Sequence, residues 1–288
     1  MKAETFETRI KYLKSKNFKI IDMDLFSKCI LKGEALENAV VVTIDDGWDS
    51  LYSQALPILK KYQIPSTVYV ASETFEKRIP IYFVAIQYFF WKTNKSEFMF
   101  NEKKYHLNRE TYAKIFEEIS YFFRHISSEL LNETLERLAR SLSVEYLASK
   151  NRKFHCISPD NIYELESAGV SIELHTHTHD NPMTQEGLRS ELLENMQVLS
   201  KYCKNVPKHF CYPSGFYERK QFEVLADLKI QTATTCQPGL VDHHSHRYEL
   251  NRFVDGEDVS QIEFEAEMSG LFEILRKLKI RLSALRNS

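Results

Sequence analysis

The sequence predicts an α/β protein organised on a parallel sheet, and three observations predict it. The run Val40-Val41-Val42-Thr43-Ile44 is β-branched and uncharged until it meets Asp45-Asp46-Gly47, the pattern of a strand buried on both faces. A helical stretch and a second strand follow at once, completing a β-loop-α-β unit between Val40 and Val70. After an irregular middle third, strand-like and helix-like stretches alternate again from Ser158 to Thr235.

Composition bounds the reading. A chain of 288 residues with 43% hydrophobic and 12% aromatic content can build one large α/β domain or two small ones. Lys+Arg 38 against Asp+Glu 40 leaves no global field that argues for nucleic acid. Met1 to Ile10 is charged at Lys2, Glu4, Glu7 and Arg9, and no run of about eighteen apolar residues occurs, so neither a signal peptide nor a membrane span is expected. Cys29, Cys156, Cys203, Cys211 and Cys236 are odd in number and lack a CxxC pair, which suits reduced thiols in a cytoplasm.

In chain order, Phe6, Ile10 and Leu13 recur at helical spacing from Glu4 to Lys16, a short strand runs from Phe18 to Ile21, and a helix from Asp24 to Lys32 closes at Gly33. Ser50 to Gln63 reads as a helix that Pro57 kinks or delays, and Ile64 to Val70 as a strand. From about 75 to 155 the rhythm breaks: an apolar stretch from Pro80 to Trp91, a hairpin turning at Asn101, and amphipathic helices at Arg109–His125 and Ser128–Leu142. The reading is a mainly helical insertion over the mouth of a barrel, its aromatic side chains forming core. Ser158 and Pro159 open a helix that Gly169 ends; strands at Val170–Leu174, Lys208–Tyr212 and Ile230–Thr235 then alternate with helices at Thr184–Tyr202 and Tyr217–Leu228.

The chemistry sits at strand ends. Asp45 and Asp46 close a buried strand, where two charges need a partner, and Gly47 supplies a turn. The strand Val170–Leu174 ends in His175-Thr176-His177-Thr178-His179-Asp180. His175 and His179, four apart, share a face in an extended or a helical backbone; His177 joins them only if the segment is extended. Two neutral imidazoles and one carboxylate leave an open position on Zn²⁺, the arrangement of a catalytic site.

Here the chain resembles a known family. Thr43-Ile44-Asp45-Asp46-Gly47 is similar to the T-F-D-D-G motif of the polysaccharide deacetylases, carbohydrate esterase family four, the nodulation-type chitooligosaccharide deacetylase homology domain. His175-Thr176-x-x-His179 is similar to their H-[ST]-x-x-H motif, and Phe210-Cys211-Tyr212-Pro213-Ser214-Gly215 to the F-x-Y-P-x-G form of their third motif. The resemblance runs from Phe6 to Val254 outside the insertion. It implies a distorted (β/α)7-type barrel with a helical insertion, 1–288 being a single catalytic domain, with Asp46, His175 and His179 holding one divalent metal, usually Zn²⁺, and Asp45 as general base. It also implies an oxyanion donor in the Ser214 backbone N–H. Arg252 is the candidate to orient Asp45 through a bidentate pair, and Trp48, Tyr212 and Pro213 are candidate substrate contacts.

Two departures bear on mechanism. The chain begins at the first helix, without the Y-H strand that relatives carry before it. No His follows His246, where relatives often place a general acid, so either His243, His244 or His246 serves or Asp45 returns the proton itself. The expected activity is removal of an N-acetyl group from an amino sugar in a glycan or a lipid- or nucleotide-linked precursor. The alternatives are another amide, such as an N-formyl sugar, or a degenerate carbohydrate-binding member. The basic amphipathic helix near 260–285 reads either as a last barrel helix with a solvated face or as a peripheral membrane contact, which would put the chain at the inner face of the membrane.

Overall fold

The computed structural model describes residues 1–34, 36–147, 152–242 and 244–286. The chain divides into two compact units, one of residues 1–46, 53–72 and 162–288, the other of residues 47–52 and 73–161.

The first unit holds a sheet of five parallel strands in sequential order: β1 Val42–Ile44, β2 Ser66–Val70, β3 Val170–Leu174, β4 His209–Cys211 and β5 Thr232–Thr234. Thr43 pairs with Thr67, Tyr69 with Glu173, Leu174 with Phe210, and Phe210 with Ala233. Among the described residues these five strands form a half-barrel, in keeping with the α/β barrel class expected from the sequence; Lys19–Ile20 and Ala39–Val40 pair separately as a small parallel sheet. The run 40–44 is therefore not one strand buried on both faces. It breaks at Val41, and β1 is an edge strand whose residues are only half-buried.

The two faces of the sheet differ in polarity, because side chains alternate along each strand. Val68, Val70, Ile172, Leu174, Phe210 and Ala233 are buried on one face, where Leu188, Leu192 and Leu199 of the helix Gln185–Leu199 and Leu225 of Phe222–Asp227 are buried too. The other face carries Thr67, Tyr69, Ser171, Glu173, His209, Cys211, Thr232 and Thr234, several of whose polar groups pair with one another. Ser171 Oγ donates to Thr67 Oγ1 at 3.0 Å, and the His209 ring bridges Thr232 Oγ1 (2.8 Å) and Asp24 Oδ1 (2.9 Å).

Glu173 is the costliest member of this stack. It is 5% exposed, and its Oε2 accepts the backbone N–H groups of Lys208 (2.7 Å) and His209 (2.8 Å). Burial outweighs those bonds and pushes its carboxyl up from 4.5 to about 8. The folded chain thus keeps a proton that the unfolded chain releases first, so this group's contribution to stability is full below pH 4.5 and lost as pH rises to about 8. Glu173→Gln keeps both backbone contacts without titrating. The free energy of unfolding from urea titration should fall less between those two pH values in the variant than in the wild type, by on the order of a few kcal/mol. Parallel curves would show that Glu173 is ionised in the native state throughout.

At the start of the unit, helix Ala3–Ser15 buries Ile10 and Leu13. It also buries Arg9, which donates to Asp255 Oδ2 (3.0 Å), Val259 O (2.6 Å) and Gln261 and lies 4.6 Å over the Phe264 ring. Helix Met23–Lys32 is capped by Asp22 and closed by Gly33 at φ 69. Pro57 falls at the second residue of helix Leu56–Tyr62, but helical backbone already runs from residue 49 through a π-helical turn at Leu51–Ala55, so the proline does not delay the helix; the irregularity ahead of it is that wider turn. Gln261–Met268 opens with a Ser260/Glu263 capping box, and Leu271–Arg286 follows Gly270, φ 78.

The second unit has its own core. Helices Tyr82–Lys92, Tyr112–His125 and Ser128–Ser141 bury Ile86, Phe89, Ile119, Phe123, Leu135 and Leu138 against the hairpin Glu97–Phe100/Lys103–His106. The hairpin turns through Asn101 and Glu102, both at positive φ (47 and 63), as a twisted two-residue turn requires. Many of the aromatic residues of this segment are core: Phe98 and Tyr105 stack at 5.1 Å and Phe89 meets Tyr146 at 5.0 Å, while Trp91 and Tyr121 are exposed. Asp49 joins the unit through Arg152 Nε at 2.7 Å, and Trp48 through a backbone bridge to Cys156.

Candidate functional site

Three sheet strands and one loop deliver Asp45, Asp46, His175, His179, Tyr212, Pro213, Ser214 and Arg252, all within the first unit. β1 runs out into Asp45, on the face of Thr43; Asp46 then takes φ 66 and Gly47 φ 63, so the backbone turns and the two adjacent carboxylates are sent to different tasks.

Asp46 meets the histidines. Its Oδ1 lies 3.2 Å from His175 Nε2 and 3.0 Å from His179 Nε2. The ligand atoms of the three residues all lie within 4.8 Å of one another. His175 is 2% exposed, and its Nδ1 lies 2.8 Å from Cys211 O. A carbonyl only accepts, so the ring proton sits on Nδ1 and the neutral ring aims a lone pair at the Asp46 carboxylate. Lone pair against carboxylate is repulsive unless a positive charge lies between them. Burial opposes a proton there, yet Cys211 and Asp46 raise the affinity of His175 for one, and the two histidines hold Asp46 well below the usual carboxylate range against its own desolvation. A divalent cation would fill the same gap, since two imidazoles with one carboxylate are a donor set suited to zinc. Asp45, His175 and Cys211 form a second such cluster. Arg252 already engages both Asp45 oxygens, so that set is the poorer seat.

His177 does not join. Thr176 at φ 61 and His179 at φ 65 make the segment neither extended nor helical. They turn His177 aside, its Nδ1 to Ser72 Oγ at 2.9 Å and its Nε2 3.7 Å from Glu194. Helix Gln185–Leu199 holds this loop at two points one turn apart. Asn195, fully buried, accepts the His175 backbone N–H (2.9 Å) and donates to Val70 O (3.0 Å). Glu191 accepts the N–H groups of His177 and Thr178 (2.8 Å each) and the Thr178 hydroxyl (2.8 Å). The sequence reading passed over both residues. The available signal was an asparagine on the stripe of Leu188, Leu192 and Leu199, where a buried amide must be serving a backbone.

Asp45 is held by Arg252, as the sequence led one to expect. Arg252 Nη1 donates to Oδ1 at 2.7 Å and Nη2 to Oδ2 at 2.8 Å, while Nε is fixed on Thr235 O at 2.8 Å and Nη1 also reaches Thr43 Oγ1 at 3.2 Å. Burial alone would raise the Asp45 carboxyl, but the guanidinium wins and keeps it below its ordinary value. Cys211 Sγ lies 3.1 Å from Arg252 Nη2 and 3.7 Å from Asp45 Oδ2.

The third motif is a tight turn, Pro213–Gly215, with Ser214 exposed at φ 58. Gly215 packs so closely on Cys236 that a Cβ would come within 2.7 Å of its side chain. Tyr212 and Pro213, expected to touch substrate, are buried; the Tyr212 hydroxyl donates to Tyr248 O at 3.1 Å and its ring stacks on Tyr217 at 4.9 Å. Their side chains build the turn, and its exposed tip is Ser214. Trp48 is half-buried and belongs to the second unit. Of the histidines considered as acid, His246 stacks on Phe222 at 4.7 Å and its Nδ1 accepts from the Tyr248 N–H at 3.2 Å, His244 is exposed, and His243 lies outside the described residues.

Known proteins are similar to this chain. Over a 65-residue stretch the chain is 38% identical to a poly-beta-1,6-N-acetyl-D-glucosamine N-deacetylase of Staphylococcus aureus, covering 23% of this chain and 22% of that protein. A Staphylococcus epidermidis protein of the same name is 34% identical over 64 residues, 22% of each chain. The chain thus spans less than a quarter of the length of these relatives. Among solved structures, the Streptococcus pyogenes deacetylase PplD superposes with a TM-score of 0.61 at 15% identity, over 92% of this chain and 86% of that one. IcaB from Ammonifex degensii does so with a TM-score of 0.58 at 15% identity, over 92% and 88%. At such identities these two show the fold, the deacetylase α/β barrel architecture. The polysaccharide deacetylase model matches residues 32–233, well over half of the sequence and inclusive of all three motifs, and the chain belongs to that family.

Proposed function

We propose that the chain is a metal-dependent hydrolase that removes an N-acetyl group from an amino sugar. The observation that carries the reading is the convergence of Asp46, His175 and His179 on one point beside Asp45, a carboxylate that Arg252 orients and keeps ionised. In this reading those three residues would hold one divalent cation, zinc by donor chemistry, whose charge would acidify water and polarise the amide carbonyl. Asp45 takes the proton as the water oxygen adds to the carbonyl carbon, and the Ser214 backbone N–H donates to the oxyanion. The C–N bond then breaks, and Asp45 returns the proton to the departing amine, leaving acetate and a free amino sugar. Asp45 is kept for the return step over His243, His244 and His246, of which His246 is engaged in stacking on Phe222.

The named relatives support N-acetylglucosamine units as substrate. A lipid- or nucleotide-linked precursor remains within the proposal, and a lipid carrier would bring it to a membrane. The proposed place of action is the cytoplasm, at the inner face of that membrane; all five cysteines are free thiols, as a reducing compartment keeps them. The test is to load the protein with zinc and assay β-1,6- and β-1,4-linked N-acetylglucosamine oligomers and their lipid- and nucleotide-linked precursors for acetate and free amine. Equal amounts of the two are expected from at least one class. Zinc-loaded protein that releases acetate from none of them would end the proposal.

A further inference from the structure

The last helix, Leu271–Arg286, turns its polar side toward the protein. Arg276 Nη2 donates to Glu267 Oε1 at 2.6 Å and Nη1 to Glu267 Oε2 at 3.0 Å, with Glu267 itself buried, and Nη2 also reaches Glu273 at 3.1 Å. Phe272 and Glu273 are half-buried on the same side. Leu271, Ile274, Leu275, Leu278 and Leu282, spaced three and four apart, form one stripe on the opposite side and are 49, 58, 50, 48 and 61% exposed. A last barrel helix with a solvated basic face would bury that stripe. Here it is the outer surface.

The borders of the stripe are basic. At 3.6 residues per turn Lys279 falls on one edge and Lys277 and Arg281 on the other, all three exposed, with Lys277 3.3 Å from Glu273. From Leu271 to Leu282 four basic residues stand against Glu273 alone. This charge pattern selects among occupants. A second copy of the chain laid stripe on stripe would bring cation against cation along both borders, with no acidic residue there to answer them. A bilayer with anionic headgroups answers both edges at once, because Lys and Arg stems rise from an apolar surface to reach phosphate. Among the described residues no helix is long and apolar enough to cross a membrane, so the contact is one of lying on the surface.

We propose that Leu271–Arg286 lies in the plane of an anionic membrane surface, its leucines at the acyl boundary and Lys277, Lys279 and Arg281 among the headgroups. Vesicle binding needs neither metal nor turnover, so this inference and the catalytic reading fail separately. The test is co-sedimentation of the full chain with vesicles of phosphatidylcholine containing phosphatidylglycerol, and with vesicles of phosphatidylcholine alone. Binding is expected to the mixed vesicles, weakened by added salt, and reduced about fivefold by each of Lys279→Ser and Arg281→Ser. The double variant Leu275→Ser/Leu278→Ser should lose about tenfold or more while keeping the wild-type melting temperature. Two results would overturn the proposal: equal binding of wild type and double variant, or no binding to mixed vesicles. A dimer seen by light scattering that the double variant dissolves would also overturn it, and would assign the stripe to a second copy.

Discussion

Asp45→Asn should cost about 10²–10⁴-fold in kcat while the protein keeps its full complement of metal. The asparagine is nearly isosteric and still accepts a hydrogen bond from Arg252, so the placement of the side chain survives; what is lost is the capacity to take a proton. The metal is untouched because its proposed ligands are Asp46, His175 and His179. Arg252, buried and still bonded to Thr235 O, would lose its charged partner, and a fall in stability of about 1–3 kcal/mol is expected. Rates must therefore be compared at temperatures where both proteins are folded. Arg252→Lys supplies the companion result. It keeps a positive charge but cannot make two parallel bonds to one carboxylate, so a smaller loss in kcat, about 10–10²-fold, should appear with KM nearly unchanged. If Asp45→Asn turned over at the wild-type rate, the base would be another residue. If it bound sugar but the wild type also failed to turn over, the chain would be a binding member of its family.

Removing either imidazole ligand should empty the metal seat. His175→Ala and His179→Ala each delete one of three protein donors, and metal affinity should fall by about 10²–10⁴-fold, read by elemental analysis and chelator competition. Asn195→Ala and Glu191→Ala, which touch no ligand atom, should cost about 10–100-fold through the backbone they hold. This graded series distinguishes a built site from chance histidines: a loop whose histidines merely neighbour a carboxylate would show no dependence on Glu191. Added zinc should raise the melting temperature of the wild type and not of His175→Ala, since a ligand that binds only the native state stabilises it by mass action.

How much of this was legible depends on the range of the interactions involved. Asp46, His175 and His179 announce themselves locally: a turn after a strand and a four-residue spacing are written in consecutive residues. The pairing of Arg252 with Asp45 spans most of the chain and was inferable only because an acid at a buried strand end requires a cation. The exclusion of His177 was not legible. It rests on the left-handed backbone at Thr176, which Glu191 and Asn195 fix from a separate helix. Tyr212 misled for a related reason, since a motif records that a residue matters and not which way its side chain turns. The polar face of the sheet was hidden as well. Thr67, Ser171, His209 and Thr232 each look exposed in their own strand, and only the parallel register shows that they satisfy one another.

The two-point hold on the histidine loop also bears on how the site acquires its ion. Residues that would otherwise have to be gathered around the cation are gathered already, by an amide and a carboxylate that the cation never meets. The ordering entropy of the loop is met when the chain folds. On the proposed reading, loading an ion would then be a capture, and unloading would leave the mould intact for the next one.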